Sequence, residues 1–382
     1  MLQKIIQKIS EAGGTVMFVG GCVRDELLGL TPKDFDIEVY HIEPTRLREI
    51  LESCGKVDAV GASFQVYKMG KYDISLPRRD RKVGKGHKGF VIEGDKDMSF
   101  KEAASRRDIT INAIMKNAVT GELIDPFNGV SDLNNGLLRV VSPNSFQEDS
   151  LRVLRLAQFA SRFQFDIEEE TFKLAKAVDL SDLPKERIWM ELEKIFLKSP
   201  KPSVGIRWLE KLGVIGTVLP NMFSLLVDSA VPFMDTLSYP EKITVMLALS
   251  SRLDLLETLN IHTLDNYPVR EQFLELVKLS QTSGYFTEYD LKWLARKVRL
   301  NLLVVIFKAL NHPDSLFVEE VVKKWGIQTH PIEPIVKGRH LIEWGHQPSP
   351  KFGEWLETLY NEQLKNHFKT LEEGKEILGY LI

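Results

Sequence analysis

The hydrophobic pattern of this chain changes period once, near residue 145, and that change limits the folds open to it. Before it stand short runs rich in β-branched and aromatic residues, at 15–19, 35–40, 64–68 and 72–76, separated by glycines, and these predict strands. Leu2, Ile5, Ile6 and Ile9, with lysines between them, predict an amphipathic helix rather than the unbroken apolar core of a signal peptide. A further helix is expected from Pro44 to Cys54, where Leu47, Ile50 and Leu51 follow the start signal Glu43-Pro44-Thr45. After residue 145 the spacing becomes helical, as in Leu151, Leu154, Phe159 and Phe163, then Ile188, Leu192, Ile195 and Phe196. The expected class is α+β, a mixed sheet with helices followed by an all-α remainder.

Composition narrows this further. The 382 residues are 43% hydrophobic and 27% charged, a packed globular profile of two to three domains that excludes disorder as the main state. A formal charge of −3 gives no reason to expect a polyanionic partner from net charge alone. Two cysteines, Cys22 and Cys54, exclude a disulfide framework and a four-thiolate metal site, and point to a reducing, cytoplasmic setting. No stretch approaches the roughly 18 apolar residues that a membrane helix needs, so a membrane role is not expected.

The chemistry gathers near the amino terminus. Gly20-Gly21-Cys22-Val23-Arg24-Asp25 follows the first expected strand and leads into a helix. A glycine pair there lets backbone amides approach a phosphate, and Arg24 adds a charged fork, although the same residues also make an ordinary tight turn. Ten residues after Arg24 comes Asp34-Phe35-Asp36. Alternate strand residues share a face about 7 Å apart, so both carboxylates can converge on divalent ions, with Asp73 a candidate third. A solvated strand end is the plain alternative for each.

In this order the residues resemble a family. Gly20 to Asp25 with Asp34 and Asp36, then Arg106-Arg107-Asp108 to Ala113, Asp125-Pro126-Phe127-Asn128-Gly129, Glu148-Asp149-Ser150-Leu151-Arg152 with Arg155, and Glu186-Arg187-Ile188 with Glu191 are similar to the class II tRNA nucleotidyltransferases and bacterial poly(A) polymerases of the DNA polymerase β superfamily. The resemblance implies a nucleotidyltransferase head at 1–144, a base-selecting neck at 145–220, and a tRNA-binding helical body and tail at 221–382. Asp34 and Asp36 would hold two Mg2+ ions. Gly20, Gly21 and Arg24 would face the triphosphate, Arg107 the sugar or phosphates, and Asp149, Arg152 and Arg155 would share one helix.

Cytosine and adenine each set an exocyclic amine beside a bare ring nitrogen, so one carboxylate and guanidinium pair can accept either and reject guanine or uracil. The plain alternative for Asp149 and Arg152 is a surface salt bridge. The resemblance thus implies template-independent addition of CMP and AMP, from CTP and ATP, to the tRNA 3′ end. Its alternatives are an A-adding enzyme paired with a separate CC-adding enzyme, a poly(A) polymerase, a small-molecule nucleotidyltransferase, and a non-catalytic RNA-binding protein.

Gln158 stands where many relatives continue the arginine series, and Ser349 where a glycine is usual. The glycine-rich, basic segment after Leu76 is expected to be a mobile loop near the site, and the resemblance implies that it permits the switch to adenine. Lys337, Arg339, His340 and Lys351 are candidate contacts to RNA phosphates, and the absence of a His-Asp dipeptide argues against a phosphohydrolase activity.

Overall fold

The computed structural model describes residues 1–60, 66–82, 90–218 and 284–382, together with 234–238, 242, 275–276 and 278–280. The chain forms two compact units, Met1–Pro220 and Asn221–Ile382.

The first unit opens with α1 (Leu2–Glu11), whose Ile5 and Ile9 are buried as the apolar stripe requires. It is followed by β1 (Thr15–Val19), α2 (Gly21–Leu27), β2 (Phe35–Tyr40) and α3 (Pro44–Glu52), the last with proline in its first turn, where the missing N–H costs nothing. Next come β3 (Asp58–Val60), β4 (Val66–Met69) and β5 (Tyr72–Ser75). With β8 (Met115–Asn117) and β9 (Leu123–Ile124) they make a seven-stranded mixed sheet in the order β3-β4-β5-β2-β1-β8-β9.

The strand alternation sorts side chains between the two faces of this sheet. Ile37 and Val39 of β2 pack with Ile5, Ile9, Leu47 and Leu51 of α1 and α3. Tyr40 faces the other way, with Met17, Val19 and the alanines of α4 (Phe100–Ser105). By the same alternation Asp36 and Glu38 share the α4 face, the face that carries the site.

The segment after Leu76 departs from expectation. Arg78–Lys82 (β6) and Phe90–Gly94 (β7) pair as an antiparallel ribbon, and Arg79 ties it down through ion pairs to Asp95 and Glu102 at 2.8 and 2.7 Å. Ladder hydrogen bonds thus order the flanks of the expected loop; its glycine-rich centre, 83–89, lies outside the described residues.

α5 (Gly129–Asn134), β10 (Leu137–Leu138) and α6 (Pro143–Glu148) lead to α7 (Leu151–Phe163). β11 (Asp166–Ile167) returns to pair with β10, so hydrogen bonds cross residue 145. α8 (Glu169–Lys176), α9 (Lys185–Glu193) and α10 (Pro202–Lys211) follow, with α9 ending in a π-helical turn at Lys194–Lys198.

The described part of the second unit is helical, at Glu288–Leu294, Leu300–Ala309, Ser315–Trp325, Gly338–Glu343, Lys351–Leu364 and Leu371–Leu381. Lys292 is buried there, its ammonium 3.4 Å from the Trp325 ring centre and bonded to the Leu364 carbonyl and the Asn366 amide oxygen. His340 differs from its expected role: it is buried, with Nδ1 accepting from the Lys337 N–H and Nε2 lying 3.1 Å from Arg339 Nε, and so caps a helix rather than meeting solvent. Among the described residues no helix is long and apolar enough to cross a membrane.

Gly129 begins α5 against the 3₁₀ turn at Thr110–Asn112, where a Cβ would stand 2.2 Å from the Thr110 carbonyl oxygen. Gly129→Ala is therefore expected to lower the unfolding free energy by about 1–3 kcal/mol. Gly216→Ala, with open space around its Cβ, should leave it within about 0.5 kcal/mol. Urea unfolding of both variants checks the pair.

Candidate active site

β1 and β2 run antiparallel, with Val19 opposite Asp36, so the turn after β1 starts beside the carboxylate although Gly20 and Asp36 are far apart in sequence. Gly20 has φ +71° and ψ −131°, a conformation that favours glycine, and a Cβ there would sit 2.7 Å from Arg107 Nη1 and 3.7 Å from Asp36 Oδ2. Glycine at this position lets a guanidinium and a carboxylate meet over the turn.

Arg107 is held from beneath. Its Nη2 and that of Arg106 both donate to Glu38 Oε1, at 2.9 and 2.6 Å, while the Tyr40 hydroxyl donates to Glu38 Oε2 at 2.8 Å. Burial raises the Glu38 pKa, but Arg107, Arg106 and the Tyr40 hydroxyl together bring it below the ordinary glutamate value. Glu38 continues the period-two series of Asp34 and Asp36, a signal present in the sequence but not used there.

A cavity of about 790 Å3 opens above this floor. Its head wall carries Gly20, Gly21, Arg24, Asp34, Asp36 and Arg107; its neck wall carries Arg155, Gln158, Phe159 and Arg162 of α7, then Lys194 and Lys198. Asp36 is open to this concave space, yet the surrounding protein desolvates it, and Asp73, Glu38 and Asp34 add negative charge, so its pKa is raised despite Arg107. Two oxygen donors in an electronegative floor suit a hard divalent cation. Asp73 lies opposite Asp36 in the parallel β2–β5 register but is ion-paired with Lys68 at 3.0 Å and does not line the cavity. Among the described residues no cluster of three or more His, Cys, Asp or Glu forms a metal cage.

Arg24 reaches the cavity from a buried position. Its guanidinium donates to Asp25 Oδ1 and Asn112 Oδ1 and lies 4.7 Å from the Phe163 ring centre. Arg155 donates through Nε and Nη2 to Asp108 Oδ2, both at 2.7 Å, and Arg162 Nη2 meets Asp25 Oδ2 at 2.9 Å. Burial pushes the Asp108 pKa up, but Arg155, the Asn112 amide and Arg152 outweigh it and bring it to about 2. Gln158, where the arginine series stops, is buried and lines the cavity.

Asp149 and Arg152 are arranged differently from the expected helical pair. α7 begins at Leu151, and Asp149 is extended, with φ −128° and ψ 99°, so the two do not sit one turn apart on a helix. Asp149 accepts a bidentate pair from Arg187 of α9, at 3.1 and 3.0 Å. Arg152 donates to the Arg106 and Arg107 carbonyls and to Ser145 Oγ. Neither lines the cavity, although both act electrostatically on Arg155, which does.

Residues 16–139 match the family described as "Poly A polymerase head domain". Residues 164–226 match "Probable RNA and SrmB- binding site of polymerase A". The chain is 41% identical over 219 residues to a multifunctional CCA protein of Aliivibrio salmonicida, covering 55% of this chain and 52% of that protein. It is 38% identical over 223 residues to a CCA-adding enzyme of Actinobacillus succinogenes, covering 56% and 54%. The chain thus spans about half the length of the curated relatives it matches. Among solved structures, a Thermotoga maritima CCA-adding enzyme complexed with tRNA superposes with a TM-score of 0.69 at 23% identity, covering 100% of this chain and 94% of that one. A Bacillus stearothermophilus CCA-adding enzyme in complex with CTP does so with a TM-score of 0.63 at 22% identity, covering 97% and 95%. These two likenesses show a shared fold, an α/β head followed by helices.

The depressed pKa of Asp108 has a measurable consequence. A carboxyl ordinarily near 3.9 and held near 2 stabilises the folded protein above pH 4 and loses that contribution as pH falls toward 2. Asp108→Asn should therefore cost on the order of 2 kcal/mol near pH 7. The gap to wild type should narrow as the pH falls below about 4, measured by urea unfolding at stepped pH.

Proposed function

We propose that this protein is a template-independent nucleotidyltransferase that adds CMP and AMP, from CTP and ATP, to the 3′ end of tRNA. The observation that supports this most is the convergence of Asp34, Asp36, the Gly20-Gly21 turn and Arg107 on one cavity, inside a head domain of the poly A polymerase family. The relatives named above as CCA-adding and multifunctional CCA proteins support the same reading.

Asp34 and Asp36 are the groups that would hold Mg2+, which would supply charge neutralisation to the attacking and leaving oxygens of nucleotidyl transfer. Gly20 and Gly21 leave room for the triphosphate, and Arg107, fixed by Glu38, presents Nη1 over that turn. Arg24 and Arg155 orient the site from beneath, as their partners Asn112 and Asp108 keep them in place.

On this reading base choice falls to Asp149 and Arg152, which lie outside the cavity lining and act on it through Arg155. A carboxylate offers about four acceptor directions, so Asp149 retains capacity for an exocyclic amine while Arg187 orients it. Guanine and uracil would set a carbonyl against that carboxylate, which is repulsive. The division of the first unit into a head at 1–144 and a neck at 145–220 follows this division of labour, with the body and tail at 221–382 left to hold tRNA. The free thiols of Cys22 and Cys54 suit a reducing cytoplasm.

Incorporation of labelled CTP, ATP, GTP and UTP into tRNAs lacking one, two or three terminal nucleotides tests the proposal. Restoration of CCA is expected; no incorporation with magnesium present would refute it, addition of A alone to tRNA ending in CC would indicate an A-adding enzyme, and a long tail a poly(A) polymerase. Asp34→Ala and Asp36→Ala should each lower the rate at least ~10²-fold while the protein stays folded. Arg187→Ala should lower kcat/KM for CTP and ATP about 10- to 100-fold and for GTP and UTP less, so that selectivity narrows.

A further inference from the structure

Two lysines of the neck wall, Lys194 and Lys198, take no part in holding the nucleotide. α9 does not simply end at Glu193; it continues into the π-helical turn Lys194–Lys198, which buries Ile195, Phe196 and Leu197 and turns Lys194 and Lys198 to the cavity. Such turns carry an extra residue at a cost in hydrogen-bond geometry and recur at functional sites.

Here the turn is firmly seated. Ser199, which lines the cavity beside it, donates to the Ser161 carbonyl at 2.6 Å, and the one Ser161 hydroxyl proton is shared between Ser199 Oγ at 2.6 Å and the Lys201 carbonyl at 2.8 Å. Gly205 of α10 lets the helices close, since a Cβ there would lie 2.7 Å from Ile195 and 2.8 Å from Ser161.

The partners of the cavity cations differ. Arg24, Arg155 and Arg162 are tied to Asp25 and Asp108, and Lys194 pairs at 2.7 Å with Glu191, a buried carboxylate whose other oxygen has no hydrogen-bond partner among the described residues. These pairs hold the wall together. Lys198 is 57% exposed and meets the half-buried Glu193 at 3.1 Å, a pair open to solvent on the lysine side from which an incoming anion can draw the ammonium at little cost.

Resting on the proposed function, we propose that Lys198, backed by Lys194, holds a backbone phosphate of the acceptor RNA strand next to its 3′ end. Nucleotidyl transfer brings two anionic substrates into the cavity together. The triphosphate belongs with Asp34, Asp36, Gly20 and Arg107 on the head wall, which leaves the neck wall for the strand that carries the attacking hydroxyl. A lysine ammonium suits this task as a point charge that positions a phosphate without reading sequence.

Lys198→Gln and Lys198→Arg test it; both keep the buried Lys194–Glu191 pair. Binding of tRNA ending in CC is measured by fluorescence anisotropy without nucleotide from about 50 to about 200 mM salt, alongside steady-state KM values for tRNA and ATP. Lys198→Gln should weaken tRNA binding about 3- to 10-fold and flatten the slope of log affinity against log salt by about 0.7–0.9, with the KM for ATP within about two-fold of wild type. Lys198→Arg should restore both. Unchanged tRNA affinity and slope in Lys198→Gln would overturn the inference, as would a raised KM for ATP alone, which would place Lys198 on the triphosphate. A wild-type protein that neither binds nor extends tRNA would overturn the functional reading, and the inference with it.

Discussion

A closed circuit of charged hydrogen bonds runs between α7 and the head and fixes the cavity. From Arg155 it passes to Asp108, through the Asn112 amide to Arg24, on to Asp25 and back to α7 at Arg162. Arg155 and Arg162 are seven residues apart, two helical turns, so they leave one side of α7 and grip the head at two points. Such a network is strong when every member is satisfied, and removing Asp108 is costly because it leaves the Arg155 guanidinium without its carboxylate. The neck wall therefore stands at a fixed distance from the strand that carries Asp36, as transfer between two bound substrates requires.

Above that circuit the sheet sets the chemistry. The pleat of β2 puts Asp36, Glu38 and Tyr40 on the α4 face, and each residue there supports the next: Tyr40 donates to Glu38, and Glu38 holds Arg107 against Gly20 and Asp36. Charge on this chain is local. The formal −3 hides a cavity whose floor is acidic and whose neck wall is basic, and phosphate binding depends on that arrangement and not on the sum.

Much of the head could be read from the residues. Strands at 15–19 and 35–40 and helices at 2–11 and 44–52 show a clear period or a start signal, and the structure places all four there. β8 and β9 have three and two residues, too few for alternation to register, and β6 with β7 is held by ladder bonds and by the Arg79 ion pairs, which composition does not reveal. Site residues divide in the same way. Gly20 and Asp36 converge because Gly20 follows β1 and Asp36 lies on its antiparallel partner β2. Arg24 ends in a buried bracket with Asn112 and Phe163, and Asp149 in a clamp from Arg187; both depend on packing between segments distant in sequence. Lys194 and Lys198 carry no motif of their own, and only the π turn brings them to the cavity.

The central claim is that protein side chains alone choose the base. Calorimetric titration of CTP, ATP, GTP and UTP into the protein with magnesium and without RNA tests it most directly. CTP and ATP should each bind at least ~10-fold more tightly than GTP and UTP, about 1.4 kcal/mol of discrimination. Equal affinity for all four nucleotides would contradict the account.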